Sequence, residues 1–189
     1  MDADGLIYAC ATTAEERVAK RAGLRTARVG VRACNGVPEG AVVSFGLAGA
    51  LREGLAVGEV LDATRVVDER GTTLWEGEGL GVGRHATILG SDVLVHDTSE
   101  RRRLHEASGA DAVDMESGVL ARSGRLAGVL RVVSDDVTSA IEGVDATVHA
   151  NGKTDVVGLA RWVATRRGAA VRSMKDAMAA LRALERAVA

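Results

Sequence analysis

The sequence predicts an α/β domain built on a mixed β-sheet. Short apolar runs rich in Val and Ile alternate with segments of helical periodicity, the pattern of strands and helices that share a core. Turn-rich joints between some neighbouring runs read as hairpins, so part of the sheet is antiparallel. No repeat, low-complexity tract or interdomain linker interrupts the 189 residues, a length typical of one domain.

Each element follows from its local sequence. "GLIYAC" (5–10) reads as a first strand, and "TTAEERVAKRAG" (12–23) as a helix with a glycine stop and a Thr13–Glu16 capping box. "TARVGVRA" (26–33) and "AVVSFG" (41–46) read as strands around "CNGVPEG", which carries the only proline. A long strand is expected from Val57 to Asp68, with "TTLWEG" (72–77) as its hairpin partner. Two short strands are expected at 85–90 and 92–96, then a charged helix at 100–108 capped by Ser99. "GADAVDM" (109–115) reads as a strand running into the helix "ESGVLARSGRLA" (116–127), and "GVLRVVSDD" (128–136) as the last strand. Residues 154–189 read as helical with a break near Gly168. Val171, Met174, Met178, Leu181, Leu184 and Val188 form an apolar stripe expected to pack in the core.

Composition narrows the function. The net charge of -2 gives no reason to expect nucleic acid or a membrane surface as partner. No apolar run reaches the ~18 residues that cross a bilayer. The acidic start Met1-Asp2-Ala3-Asp4 is unlike a signal peptide, and Cys10 and Cys34 make no disulfide framework, so a reduced cytoplasm is expected. Cys10 reads as a small buried hydrophobe. His85, His96, His105 and His149 have no metal-ligand spacing, so no metal is expected. Tyr8, Phe45, Trp75 and Trp162 are the only aromatic residues, few for a pocket that stacks rings.

In open α/β sheets, ligands sit at the carboxyl ends of strands. Three such ends are rich in chemistry. "SFGLAG" (44–49) is a strand end left bare by two glycines, either a loop with a tight turn or a backbone left open for a ligand to approach. In "VDMES", Asp114 and Glu116 stand where a strand becomes a helix, where a carboxylate caps N–H groups or accepts from ligand hydroxyls. In "RVVSDD", Ser134, Asp135 and Asp136 form either a turn or a general acid, since adjacent carboxylates raise one another's pKa.

Taken in order, "SFGLAGALREGLAVGEVL", "AVDMES" and "VLRVVSDD" resemble the nucleoside phosphorylase and nucleosidase superfamily, over about 41–67 and 109–136. "ANGKTDVVGLARW" is similar to a branch associated with hopanoid biosynthesis. The resemblance implies a single domain over 1–189 with a C-terminal helical segment, 154–189. Its fold would be three-layer, a central mixed twisted β-sheet flanked by helices. The implied activity is cleavage of the N-glycosidic bond of a purine nucleoside, of adenosine type and modified at the 5′ position. Glu116 would accept from the ribose hydroxyls and Met115 would pack on the sugar. Asp135 would bond the purine N7 and protonate the departing base. Gly46 and Gly49 would let the backbone approach the ligand. Phe45, Leu47, Ala48, Val113 and Ser134 complete the implied substrate-binding set. A glutamate after the first strand would activate water. Glu15 is preferred over Glu16, which the expected capping box engages.

The resemblance implies no resident cofactor and leaves hydrolysis and phosphorolysis open, the latter with inorganic phosphate as co-substrate. Leu47 stands where family members often carry a hydroxyl, which leans toward hydrolysis, while the resemblance to the hopanoid-associated branch leans back toward phosphorolysis. Arg28, Arg32 and Arg65 are the candidate phosphate ligands. The implied partners are a small-molecule nucleoside and further copies of the chain, as a dimer or a trimer multiple. A non-catalytic nucleoside-binding or scaffold protein of the same fold is the second reading. A dinucleotide-binding domain fails because "GLGVGRH" (79–85) lies among hairpins.

Overall fold

The computed structural model describes residues 5–95, 97–138, 149–153 and 167–189, with side chains in the last stretch from 172 onward. Strand β1 (Ile7–Cys10) leads into helix α1 (Thr13–Arg21) and strand β2 (Thr26–Arg28). Strands β3 (Val42–Ala50), β4 (Val60–Val67), β5 (Thr73–Glu76) and β6 (Arg84–Gly90) follow. Helix α2 (Thr98–Ser108), strand β7 (Ala112–Asp114), helix α3 (Ser117–Arg122), strand β8 (Leu126–Asp135) and helix α4 (Arg167–Ala187) complete the order.

All eight strands among the described residues join one mixed sheet flanked by helices, the expected fold class. The sheet also closes on itself. β3 pairs with β7, β7 with β6, β6 with β4, β4 with β8, and β8 again with β3. Two long strands make closure possible by dividing one edge between two partners. β3 gives residues 42–45 to β1 and residues 49–50 to β7. β4 gives residues 60–63 to β8 and residues 65–67 to β5. Alternation along β3 and β8 sends Val42, Ala48, Val129 and Val133 into one apolar cluster. Val43, Phe45, Leu130 and Val132 go into another, completed by Val18 of α1 and by Ala180, Ala183 and Leu184 of α4.

Several boundaries differ from expectation for identifiable reasons. The capping box of α1 is Thr12–Glu15, one residue early, because Thr13 is engaged by the Gly152 carbonyl. The strand read over 26–33 stops at Arg28, where Gly30, Arg32 and Ala33 adopt positive φ and make a 3-10 turn, Val31–Ala33. The strand read over 57–68 is Val60–Val67. Residues 92–95 are not a strand, since the Ser91 hydroxyl bonds both the Val93 carbonyl and its N–H in a turn; position 96 lies outside the described residues. Asp97, not Ser99, caps α2. Gly124, at φ +71, ends α3 well before 127. α4 runs through Gly168 without a break, while 154–166 lie outside the described residues. Met174 and Met178 are 41% and 51% exposed rather than in the core. The helix rests on Ala180, Ala183 and Leu184, with Leu181 and Val188 packed beside them, while the Val171 side chain lies outside those described.

Candidate active site

"SFGLAG" is not a loop: β3 continues through it to Ala50. The two glycines are bare because acidic and basic side chains press on the strand from neighbouring elements. A Cβ at Gly46 would strike the Glu15 carboxylate and lie 2.7 Å from Arg131 Nη1. A Cβ at Gly49 would lie 3.0 Å from Asp135 Oδ2 and 3.5 Å from Arg101 Nη2. Each glycine thus marks a carboxylate beside an arginine. The two marks are three residues apart, roughly 10 Å along an extended strand.

Both carboxylates, with Glu116, line one cavity of about 280 Å³. Its remaining wall is mostly apolar, including Leu47, Val93, Leu94, Val113 and Met115. At one end, Glu15 sits in the first turn of α1. Its Oε2 accepts from Thr12 N at 2.8 Å and its Oε1 from Leu47 N at 3.0 Å. The residue that closes the capping box therefore also faces the cavity. At the other end, Asp135 terminates β8. Its Oδ1 lies 2.6 Å from the Ser134 hydroxyl and its Oδ2 2.5 Å from Arg101 Nη1. That second contact is an ion pair without hydrogen-bond alignment. Burial lifts the Asp135 carboxyl above the usual carboxylate range, Arg101 and Ser134 pull it back, and Asp136 adds to the lift.

Between the ends, the two acids around Met115 divide the work. Asp114 accepts from Glu116 N at 3.1 Å and Ser117 N at 2.8 Å, so it holds the start of α3. Glu116 makes no capping bond and faces the cavity. Its Oε1 accepts from Arg32 N at 3.1 Å, and its Oε2 lies 3.5 Å from Arg131 Nη2. Burial pushes its carboxyl up to about 8, opposed by Arg131 and the Arg32 N–H and reinforced by Asp114 and Glu15. Arg131 is fully buried, with Nε 2.7 Å from Asp114 and Nη2 2.6 Å from the Ser44 hydroxyl. Burial works against its charge, but Asp114, Glu116 and Glu15 outweigh that and raise its pKa.

The structure brings Glu15, Leu47, Ala48, Gly49, Val113, Met115, Glu116, Ser134 and Asp135 to this one cavity. Gly46 lies under the Glu15 carboxylate rather than in the lining. Phe45 is fully buried in the apolar cluster with Val43 and Leu130, edge-on to Tyr8, and does not line the cavity. The expected phosphate ligands also lie elsewhere. Arg65 is exposed on β4 opposite Glu76, and Arg28 bonds Thr13 and approaches Glu16. Arg32 contributes its backbone N–H to Glu116 but points its guanidinium at the Asp92 carbonyl. Arg101 and Arg131 escaped the sequence reading. A lone charge inside the apolar run "VLRVV" was a usable signal for Arg131. Arg101, one of three consecutive arginines in a charged helix, carried none.

Among the described residues, no cluster of His, Cys, Asp or Glu could hold a metal ion, and no helix is long and apolar enough to cross a membrane. A mixed sheet closed on itself between helices, with strand ends meeting at one cavity, is a fold that the chain shares with solved nucleosidases at low sequence identity. The 5′-methylthioadenosine/S-adenosylhomocysteine nucleosidase of Streptococcus pneumoniae, bound to the transition-state inhibitor MT-ImmA, matches with a TM-score of 0.57 and 15% identity, over 95% of this chain and 99% of its own. Futalosine hydrolase of Helicobacter pylori matches at 0.54 and 14%, over 92% and 96%. The methylthioadenosine/S-adenosylhomocysteine nucleosidase of Campylobacter jejuni matches at 0.54 and 14%, over 96% and 99%. No protein-family model and no curated protein matches the sequence.

Proposed function

We propose that this protein hydrolyses the N-glycosidic bond of a purine nucleoside of adenosine type, modified at the 5′ position. One observation carries the reading: three buried carboxylates, Glu15, Glu116 and Asp135, converge on one apolar cavity. Breaking an N-ribosyl bond builds positive charge on the sugar and negative charge on the base. Asp135, lifted by burial, is suited to protonate the base. Glu15, at the other end, is suited to take a proton from water as water attacks the sugar carbon. Glu116, between them, is suited to accept from ribose hydroxyls. The match to nucleosidases solved with methylthioadenosine-like ligands supports the same substrate class.

Water is favoured over phosphate as the acceptor. A phosphate at the Glu15 end would lie against a carboxylate. Leu47 N, the amide facing that position, already donates to Glu15. Among the described residues that line the cavity, the only arginine is Arg101, at the far end. A homo-oligomer belongs to the same proposal, and sedimentation equilibrium tests it. The activity is tested by chromatography of free base released from adenosine, inosine, methylthioadenosine, S-adenosylhomocysteine and a 5′-alkyl adenosine, with and without phosphate. Equal release in both conditions supports the proposal. Release only with phosphate makes the protein a phosphorylase. Binding without release supports the non-catalytic reading.

A further inference from the structure

Arg101 is a side chain whose burial the α1–β3–β8 machinery does not explain. It comes from the exposed, charged helix α2, yet its side chain is 3% accessible. It crosses to the end of β8 and ends 2.5 Å from Asp135 Oδ2. Backbone carbonyls fix it on the way. Nε and Nη2 donate to Val95 O at 3.2 and 3.1 Å, and Nη1 to Asp136 O at 2.9 Å and Ala50 O at 3.4 Å. Those acceptors belong to three different segments, so the guanidinium cannot swing to solvent without breaking all of them. Gly49 leaves the space that the pair occupies. Asp135 Oδ2 is buried and receives no aligned hydrogen bond, although a cation touches it. The oxygen is therefore balanced in charge by Arg101, and Asp135 itself lines the cavity.

We infer that Arg101 is a positioning residue for base release: it fixes the Asp135 carboxyl at the base end of the cavity and balances the negative charge left there when the proton departs. The inference rests on the hydrolase reading above. In the step itself, the bond between the ribose C1′ and the base nitrogen breaks and its electron pair stays with the base. The base takes the Asp135 proton. Water oxygen bonds to C1′ and the proton released from that water passes to Glu15. Asp135 ends as a carboxylate against a guanidinium that is already in place and needs no reorganisation. It regains its proton from solvent after the base leaves, and Glu15 gives the proton it took from water back to solvent.

The test uses two substrates that differ in whether the leaving group needs a proton. Methylthioadenosine does. 4-Nitrophenyl β-D-ribofuranoside does not, because nitrophenolate departs as an anion. Arg101→Met is expected to slow adenine release by about 10- to 100-fold, part of the 10²- to 10⁴-fold that general acid catalysis supplies. Nitrophenol release is expected to stay within about twofold. Asp135→Asn should show the same selectivity, and adding Arg101→Met to it should cost little more. If Arg101→Met leaves Asp135 too destabilised to fold, Arg101→Lys carries the test, with selective loss on methylthioadenosine again expected. Equal slowing on both substrates, or on neither, overturns the inference and leaves the hydrolase reading standing. A wild-type protein that releases neither adenine nor nitrophenol overturns that reading and the inference together.

Discussion

Asp135 holds the position on which the proposed chemistry depends most. Its carboxyl is buried and raised, aligned by Ser134 on one oxygen and held against Arg101 on the other. Asp135→Asn keeps the shape and removes the proton donor. Turnover of a purine nucleoside should fall by about 10²- to 10⁴-fold while affinity changes little, since the lost interaction belongs to the transition state. Steady-state kinetics paired with calorimetry on the variant check this, and unchanged turnover removes Asp135 from the mechanism. Glu116 and Asp135 were legible in the sequence because each is an acid at the end of an apolar strand. Their arginine partners were harder to read. Burial of Arg131 was signalled only by one charge in an apolar run, and burial of Arg101 depends on how α2 docks, which sequence periodicity does not encode.

At the scale of elements, β3 is the frame that the site is built against. Strand propensity alone ended it at Gly46, because glycine is a poor strand former. Pairing with β7 and β8 carries it four residues further. The missing side chains serve the carboxylates of α1 and β8, which approach the backbone where a Cβ would be. Gly46→Ala should therefore displace Glu15. Overpacking of this kind costs about 1–3 kcal/mol, seen as a lower chemical-denaturation midpoint, and nucleoside turnover should fall with it. A variant with wild-type stability and turnover would contradict the packing described for Glu15. Helix ends were read less well than helix existence. The capping box was misplaced by one residue because two threonines, Thr12 and Thr13, each stand three residues before a glutamate, and only the contact of Thr13 with Gly152 distinguishes them.

For the whole molecule, closure of the sheet was not legible, since it depends on β3 and β4 each sharing an edge between two partners. Closure also encloses titratable groups, and this gives a dependence of stability on pH. The Glu116 carboxyl rises from its ordinary value of 4.5 to about 8 in the fold, and Asp135 shifts in the same direction. Below about 4.5 the folded and unfolded chains both hold the Glu116 proton. Between there and about 8 the unfolded chain releases it and the folded chain keeps it, so stability declines as pH rises. Thermal melts should show a falling Tm from pH 5 to pH 8.5, and Glu116→Gln should flatten the fall. A Tm that is level or rising across that range would contradict the burial of a neutral Glu116.

The central claim is that water is delivered to the sugar at one end of the cavity while a proton is delivered to the base at the other. Mass spectrometry of the sugar product formed in ¹⁸O-labelled water, with phosphate present and methylthioadenosine as substrate, tests it most directly. The account predicts free adenine and a 5-methylthioribose carrying one heavy oxygen from the solvent. A sugar 1-phosphate without solvent oxygen at C1, or no cleavage at all, would contradict it.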